Sequence, residues 1–304
     1  MEFLIRVLQN RINGAAGRAG AWLLLPMCSI LPAMKHTPPA PIQEIPEGFC
    51  ERLTWLFTDI DDTLTTGGLI PSFAFDALWQ LHDRGVRLVA VTGRPAGWCD
   101  HIARMWPVSG VVGENGAFYF VYDRKRRKMR RRYSVSARER EEGRRKLERI
   151  KERALAEVRG AGIAADQPYR ISDLAIDFRE DVEPLDRDAV RRICEIAREE
   201  GAVCKVSSIH VNCWYGDFDK ISCVKMFLQE EERQNFDSIL DRILFIGDSP
   251  NDEPMFKEFT VSVGVANLKN FLDDLVYLPR YITEQDSSLG FSEAAREILQ
   301  KRPR

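Results

Sequence analysis

The sequence predicts a doubly wound parallel α/β core interrupted by an inserted α+β domain. Three observations predict it. Apolar runs at 53–57, 86–91 and 243–246 have the near-continuous hydrophobicity of strands buried on both faces. Each run ends in a polar or glycine-containing turn that leads toward a helix, as strands of open parallel sheets do at their carboxyl ends. Between the second and third runs lies a long segment with helices and alternating strands of its own, large enough to be a separate domain. The expected division is residues 48–117 and 215–304 for the core, 118–214 for the inserted cap, and 1–47 for an amino-terminal extension.

The first strand, Leu53-Thr54-Trp55-Leu56-Phe57, runs through Thr58 into Asp59-Ile60-Asp61-Asp62-Thr63-Leu64. It delivers Asp59 and Asp61 to a strand end, where open α/β sheets bind ligands. An Asp-x-Asp pair also opens calcium loops, but these need a glycine and a distant glutamate, and Ile70 stands where the glutamate belongs. The second strand, 86–91, ends in Thr92-Gly93-Arg94-Pro95, offering a hydroxyl and a flexible amide. The turn Gly113-Glu114-Asn115-Gly116-Ala117 follows. The third strand, 243–246, ends in Gly247-Asp248-Ser249-Pro250-Asn251-Asp252, whose two carboxylates are hard oxygen ligands that suit Mg2+. Ahead of it Lys220, in Asp217-Phe218-Asp219-Lys220, is a compact positive charge able to neutralise a phosphate.

Within the insert, Ser136 and Glu139 form a capping-box pattern, and Leu147, Ile150, Ala154 and Val158 continue at helical spacing before Gly160. A second helix carries Val190, Ile193 and Ala197 and ends at Gly201. Segments 170–178 and 203–215 alternate as strands. Leu174, Ile176 and Phe178 share one face, with Asp173 and Asp177 on the other, and Ile209, Val211 and Cys213 oppose Ser208, His210 and Asn212. The polar faces are candidates for a pocket roof whose donors and acceptors suit sugar hydroxyls.

With 304 residues and 44% hydrophobic content, the chain can bury a substantial core. Its net charge of -2 gives no global affinity for nucleic acid. Residues 124–132 concentrate eight basic side chains in nine positions without interleaved aromatics, the pattern of a charged hairpin or sheet edge. The seven cysteines are scattered with no C-x-x-C pair, so a reducing, cytoplasmic location is expected. Residues 1–20 carry Arg6, Arg11 and Arg18 against Glu2, and an apolar run at 21–33 is broken by Pro26 and Pro32. That run is too short to span a bilayer, and the extension reads as disordered or targeting-like, set off by a proline-rich linker at 37–46.

The ordered series Asp59-x-Asp61-x-Thr63, Thr92-Gly93-Arg94, Lys220 and Gly247-Asp248-x-x-x-Asp252 resembles the haloacid dehalogenase-like phosphatases. The turn at 113–117 is typical of their subgroup with the larger α/β cap, the IIB type, and within it the chain looks like the sugar-phosphate phosphatases. Where many relatives carry glycine, this chain has Asp62. The resemblance implies Mg2+-dependent hydrolysis of a phosphate monoester through an aspartyl-phosphate. Asp59 would be the nucleophile, Asp61 the general acid and base, and Thr92, Gly93 and Lys220 the phosphate-binding groups. Mg2+ would be held by Asp59, the Asp61 carbonyl and Asp248, with Asp252 nearby. Thr63, Arg94, Asn115, Ser249 and Asn251 would support this site, and Ser208, His210 and Asn212 would meet the substrate. The expected partner is a small phosphorylated metabolite. A phosphosugar mutase is the alternative enzyme, and a non-catalytic nucleic-acid or regulatory binding protein the alternative outside enzymes.

Overall fold

The computed structural model describes residues 38–303. A nine-stranded sheet organises most of them. In chain order its strands are β1 (Ala40–Pro41), β2 (Trp55–Thr58), β3 (Arg87–Val91), β4 (Gly110–Gly113), β5 (Phe118–Asp123), β6 (Lys128–Tyr133), β11 (Ile243–Gly247), β12 (Ser262–Gly264) and β13 (Tyr281–Ile282). Across the sheet they lie as β1-β13-β12-β11-β2-β3-β4-β5-β6. From β1 to β4 all neighbours are parallel, and β5 and β6 add an antiparallel hairpin at one edge.

Both faces of the parallel strands are covered, which explains their unbroken apolar runs. Leu56, Leu88, Ala90, Leu244 and Ile246 point into a core shared with α1 (Glu47–Arg52), α2 (Ser72–Asp83), α3 (Ala96–Met105) and α8 (Ser287–Gln300). Trp55, Phe57, Val89, Val91, Ile243 and Phe245 face the opposite core, formed with α6 (Lys220–Glu231) and α7 (Glu253–Glu258). From β2 the chain moves outward through β3 and β4, then returns to place β11 on the other side of β2 and builds outward again through β12 and β13. The junction of β2 and β11 is therefore the topological switch point, where α/β sheets open a ligand crevice.

A second sheet, β7-β8-β10-β9, is antiparallel. It comprises β7 (Gly162–Ile163), β8 (Asp173–Asp177), β9 (Val203–Val206) and β10 (His210–Trp214). Helices α4 (Ala137–Glu157) and α5 (Arg187–Glu199) cover one of its faces, packing Leu147, Ile150, Ile193 and Ala197 against Leu174, Ile176, Val211 and Cys213. The capping box that starts α4 is formed: Glu139 N donates to Ser136 Oγ at 3.3 Å, and Ser136 N donates to Glu139 Oε2 at 2.8 Å.

Three boundaries differ from the sequence-based expectation. Residues 118–133, expected in the insert, are β5 and β6 of the large sheet, because Tyr119 and Phe118 are buried in its two cores. Residues 203–215, expected as one strand, form two strands joined by a turn at 207–209, since Ser207 Oγ accepts from His210 N and reverses the chain. The part of the expected extension that is described, 38–47, is packed rather than free: Ala40 and Pro41 pair with β13, and Ile42 and Ile45 are fully buried. Apolar side chains at 42, 45 and 49 hold this segment despite its prolines. Residues 1–37, with the remainder of that expectation, lie outside the described part.

The basic run occupies the β5–β6 turn and the edge strand β6. Arg130 pairs with Glu231 at 2.6 Å, Arg131 with Asp100 at 2.8 Å and Arg132 with Glu230 at 3.3 Å, so acidic neighbours answer its β6 charges and blunt the sheet edge. The described cysteines are free thiols. No helix among the described residues is long and apolar enough to cross a membrane.

Candidate active site

Parallel register brings the motif residues together. Thr58 lies beside Ala90 and Ile246, so Asp59, Thr92 and Asp248 emerge side by side from the carboxyl ends of β2, β3 and β11. Asp59 N donates to Ile246 O at 2.9 Å and carries the first aspartate across the switch point. Lys220 enters from the first residue of α6, whose start is fixed by the Asp219 cap. Its amine donates to Asp59 Oδ1 at 3.0 Å and Asp252 Oδ1 at 2.6 Å. Gly116, at φ +103°, makes this approach possible: a Cβ there would lie 2.0 Å from Asp219 O.

Asp59, Asp248 and Asp252 offer oxygens within 4.8 Å of one another, and all three are buried with Lys220. Three carboxylates against one ammonium leave an excess of two negative charges where water is excluded. Burial, opposed by Lys220 and reinforced by Asp252 and Asp61, pushes the Asp59 carboxyl up to about 7. Burial, with Asp59 and Asp252, likewise raises Asp248. A hard dication is the natural complement of this donor set, and Mg2+ fits it. Asp252 orients the loop: its Oδ2 accepts from Asp248 N at 3.0 Å while Lys220 occupies Oδ1. Thr63 Oγ1 donates to Asp248 Oδ1 at 3.0 Å, and Asn267 Nδ2 lies 3.3 Å from Oδ2. Ser249 Oγ donates to Asn251 Oδ1 at 2.7 Å.

The second aspartate is held differently. Asp61 accepts from Arg94 Nε at 2.9 and 3.0 Å, and Arg94 reaches on to Glu180 Oε1 at 2.8 Å and to Asp166. His210 Nε2 lies 2.9 Å from Glu180 Oε2 but is poorly aligned for a hydrogen bond. Together His210 and Arg94 hold the Glu180 carboxyl at about 2. Asp62 has φ +52°, which explains why glycine suits this position; aspartate is among the few other residues that tolerate it.

The two sheets are joined above this crevice. Glu114 accepts from Ala96 N at 3.0 Å, Ile171 N at 2.9 Å and Ser172 N at 2.7 Å, while Arg170 donates to Gly93 O at 2.9 Å. Asn115 packs against Gly93 and leaves its Nδ2 without a partner, as Asn212 leaves its Oδ1. Ser208, His210 and Asn212 do line the roof, with Gly93, Arg94, Ser249 and Asn251 among the other walls. The space they enclose over Asp59 is only about 10 Å³, so the two sheets meet in a closed arrangement. Thr92 is fully buried, with its Oγ1 accepting from Arg94 N at 3.0 Å. Every expected site residue thus falls in or beside one crevice.

The family model of haloacid dehalogenase-like hydrolases matches residues 56–151, the segment carrying Asp59, Asp61 and Thr92. Over these residues the chain is similar to the haloacid dehalogenase-like hydrolases. Solved structures of similar fold include the C-terminal domain of a C. albicans trehalose-6-phosphate phosphatase, at TM-score 0.64 and 15% identity, covering 86% of this chain and 98% of that one. A Thermoplasma acidophilum protein gives TM-score 0.62 and 19% identity, covering 81% and 98%. The sucrose-phosphatase of Synechocystis sp., solved with sucrose and phosphate, gives 0.56 and 16%, covering 81% and 98%. No curated protein matches the sequence. Sequence reasoning missed Glu114, Asp166, Arg170, Glu180 and Asn267. Only Glu114 carried a signal, its place in the Gly-Glu-Asn-Gly turn.

Proposed function

We propose that this protein is an Mg2+-dependent phosphatase that hydrolyses a phosphate monoester, of the sugar phosphate class, through an aspartyl-phosphate on Asp59. The observation that carries the proposal is the convergence of Asp59, Asp61, Thr92 and Lys220 at the switch-point crevice, beside the acidic cluster of Asp59, Asp248 and Asp252. A phosphate dianion repels a carboxylate nucleophile, so attack needs positive and hydrogen-bonding groups around the transferring oxygens.

In the proposed reaction, an Asp59 oxygen attacks phosphorus and the bond to the ester oxygen breaks. Asp61 gives a proton to the departing alcohol. It then takes a proton from water as that water attacks the aspartyl-phosphate, releasing inorganic phosphate and restoring Asp59. Lys220, Thr92 and the Gly93 amide bind the phosphoryl oxygens. Asp59, Asp248 and the Asp61 carbonyl would hold Mg2+, which supplies charge compensation, while Asp252 fixes the Asp248 loop and Lys220. Residues 134–214 serve as the cap, and its roof leaves Asn212 Oδ1 without a partner, an acceptor suited to a substrate hydroxyl at its edge. Two proteins of similar fold, a trehalose-6-phosphate phosphatase domain and a sucrose-phosphatase, agree with that class.

The test is phosphate release from a panel of sugar phosphates by wild type and Asp59→Asn, each with Mg2+ and with EDTA. Release by wild type with Mg2+ alone is expected. Release that persists in pure Asp59→Asn would overturn the nucleophile, and silence on every ester, p-nitrophenyl phosphate included, would overturn the activity.

A further inference from the structure

The closed roof leaves no room for a sugar directly above Asp59, yet Asp61 also forms a wall of a much larger cavity beside it. This cavity holds about 670 Å³ and is lined by Ile70, Trp98, His101, Ile102, Trp106 and Tyr169. That volume is within the range of pockets that enclose small organic ligands. Its walls are mainly apolar and aromatic. Trp98 is 42% exposed and Tyr169 59%, an unusual exposure for rings so close to a charged catalytic crevice. Tyr169 stands on Gly97, where a Cβ would lie 3.0 Å from the tyrosine Cβ, so the ring of the cap segment is seated directly on the first turn of α3. The Arg94 guanidinium, which grips Asp61, lies 4.5 Å over the Trp98 ring. A second cavity at Asp61 holds about 330 Å³ and is walled by charged groups, among them Asp62, Arg179 and Glu180.

Resting on the phosphatase assignment, we infer that the aromatic cavity is the leaving-group subsite and that the substrate alcohol carries a flat apolar or aromatic group. Continuity with the crevice is the reason. The group that protonates the leaving oxygen must touch the alcohol as it departs, and of the two open cavities at Asp61 among the described residues this is the larger. Flat apolar groups bury well between tryptophan and tyrosine rings, whereas a bare sugar leaves most of such walls unsatisfied. The smaller charged cavity suits a hydroxyl-rich group, and the two predict opposite preferences.

The test uses two matched pairs of esters: methyl and phenyl β-glucoside 6-phosphate, and methyl and 2-naphthylmethyl phosphate. Wild type with Mg2+ is expected to favour the aryl member of at least one pair in kcat/KM, roughly tenfold to a hundredfold. That ratio should fall to about twofold in Tyr169→Ala and Trp98→Ala and be restored in Trp98→Phe, a pattern that general loosening of the site does not produce. Release from these esters with ratios near one, or a preference that survives both alanine variants, would overturn the subsite and leave the phosphatase assignment standing. No release from any of the four, with release from other sugar phosphates or p-nitrophenyl phosphate, overturns the subsite alone, and silence on all of them overturns both.

Discussion

Asp59→Asn has a consequence for stability as well as for turnover. The Asp59 carboxyl is pushed from 3.8 up to about 7 by burial. Each unit is worth about 1.4 kcal/mol, so holding the charged form inside the metal-free fold costs at most roughly 4 kcal/mol. The folded state binds the proton more tightly than the unfolded chain, so the wild-type protein loses stability as pH rises from about 4 to about 7 and levels off above that. Asparagine keeps the shape and still accepts from Lys220 but carries no charge. In EDTA at pH 8, urea unfolding should therefore find Asp59→Asn more stable than wild type by about 2–4 kcal/mol, with the gain shrinking below about 1 kcal/mol near pH 4.5. Saturating Mg2+ should narrow or reverse the difference, because the wild-type site binds the ion better. A variant less stable than wild type at pH 8 in EDTA, or a gain that ignores pH, would refute the account of an overcharged, buried cluster.

Two further substitutions probe how the site is held. Gly116→Ala puts a methyl group 2.0 Å from Asp219 O and must displace the start of α6 with Lys220; a loss of phosphate release on the order of a hundredfold is expected, measured as kcat on the best ester, and unchanged kcat would remove the packing argument. Glu114→Ala orphans the buried amides of Ala96, Ile171 and Ser172 and should cost roughly 3–5 kcal/mol. Hydrogen exchange should accelerate at those three amides first, whereas exchange that speeds equally across the protein would argue against a local tie.

The core was legible because its strands are long apolar runs that end in polar turns, and parallel register does the rest: once β2, β3 and β11 are neighbours, Asp59, Thr92 and Asp248 must be too. The single strand expected at 203–215 failed on phase. Cys204 and Val206 pack inward from β9, but Val211 and Cys213 do so from β10, a switch from even to odd positions that the turn at 207–209 produces. The hairpin at 118–133 was assigned to the insert because its basic outer strand hides the apolar inner one. Arg170 and Glu180 were invisible, and Glu114 was marked only by its turn, because each acts across the two sheets, and no local pattern records which distant amide or guanidinium a buried carboxylate will meet.

The switch point also dictates when the protein can finish folding. One side of β2 pairs with β3 after a short helix, but its other side waits for β11, and Asp248 is made 185 residues after Thr63, its hydrogen-bond partner. During synthesis a fully buried strand of the sheet therefore stands with one open edge while the entire cap is translated, the situation in which nascent chains pair wrongly or recruit chaperones. The acidic cluster benefits from the same delay, since its carboxylates stay apart in water until the apolar sheet has closed around them. Completion of the crevice therefore waits for β11, whose burial against β2 is opposed by the charge cluster gathered at its end.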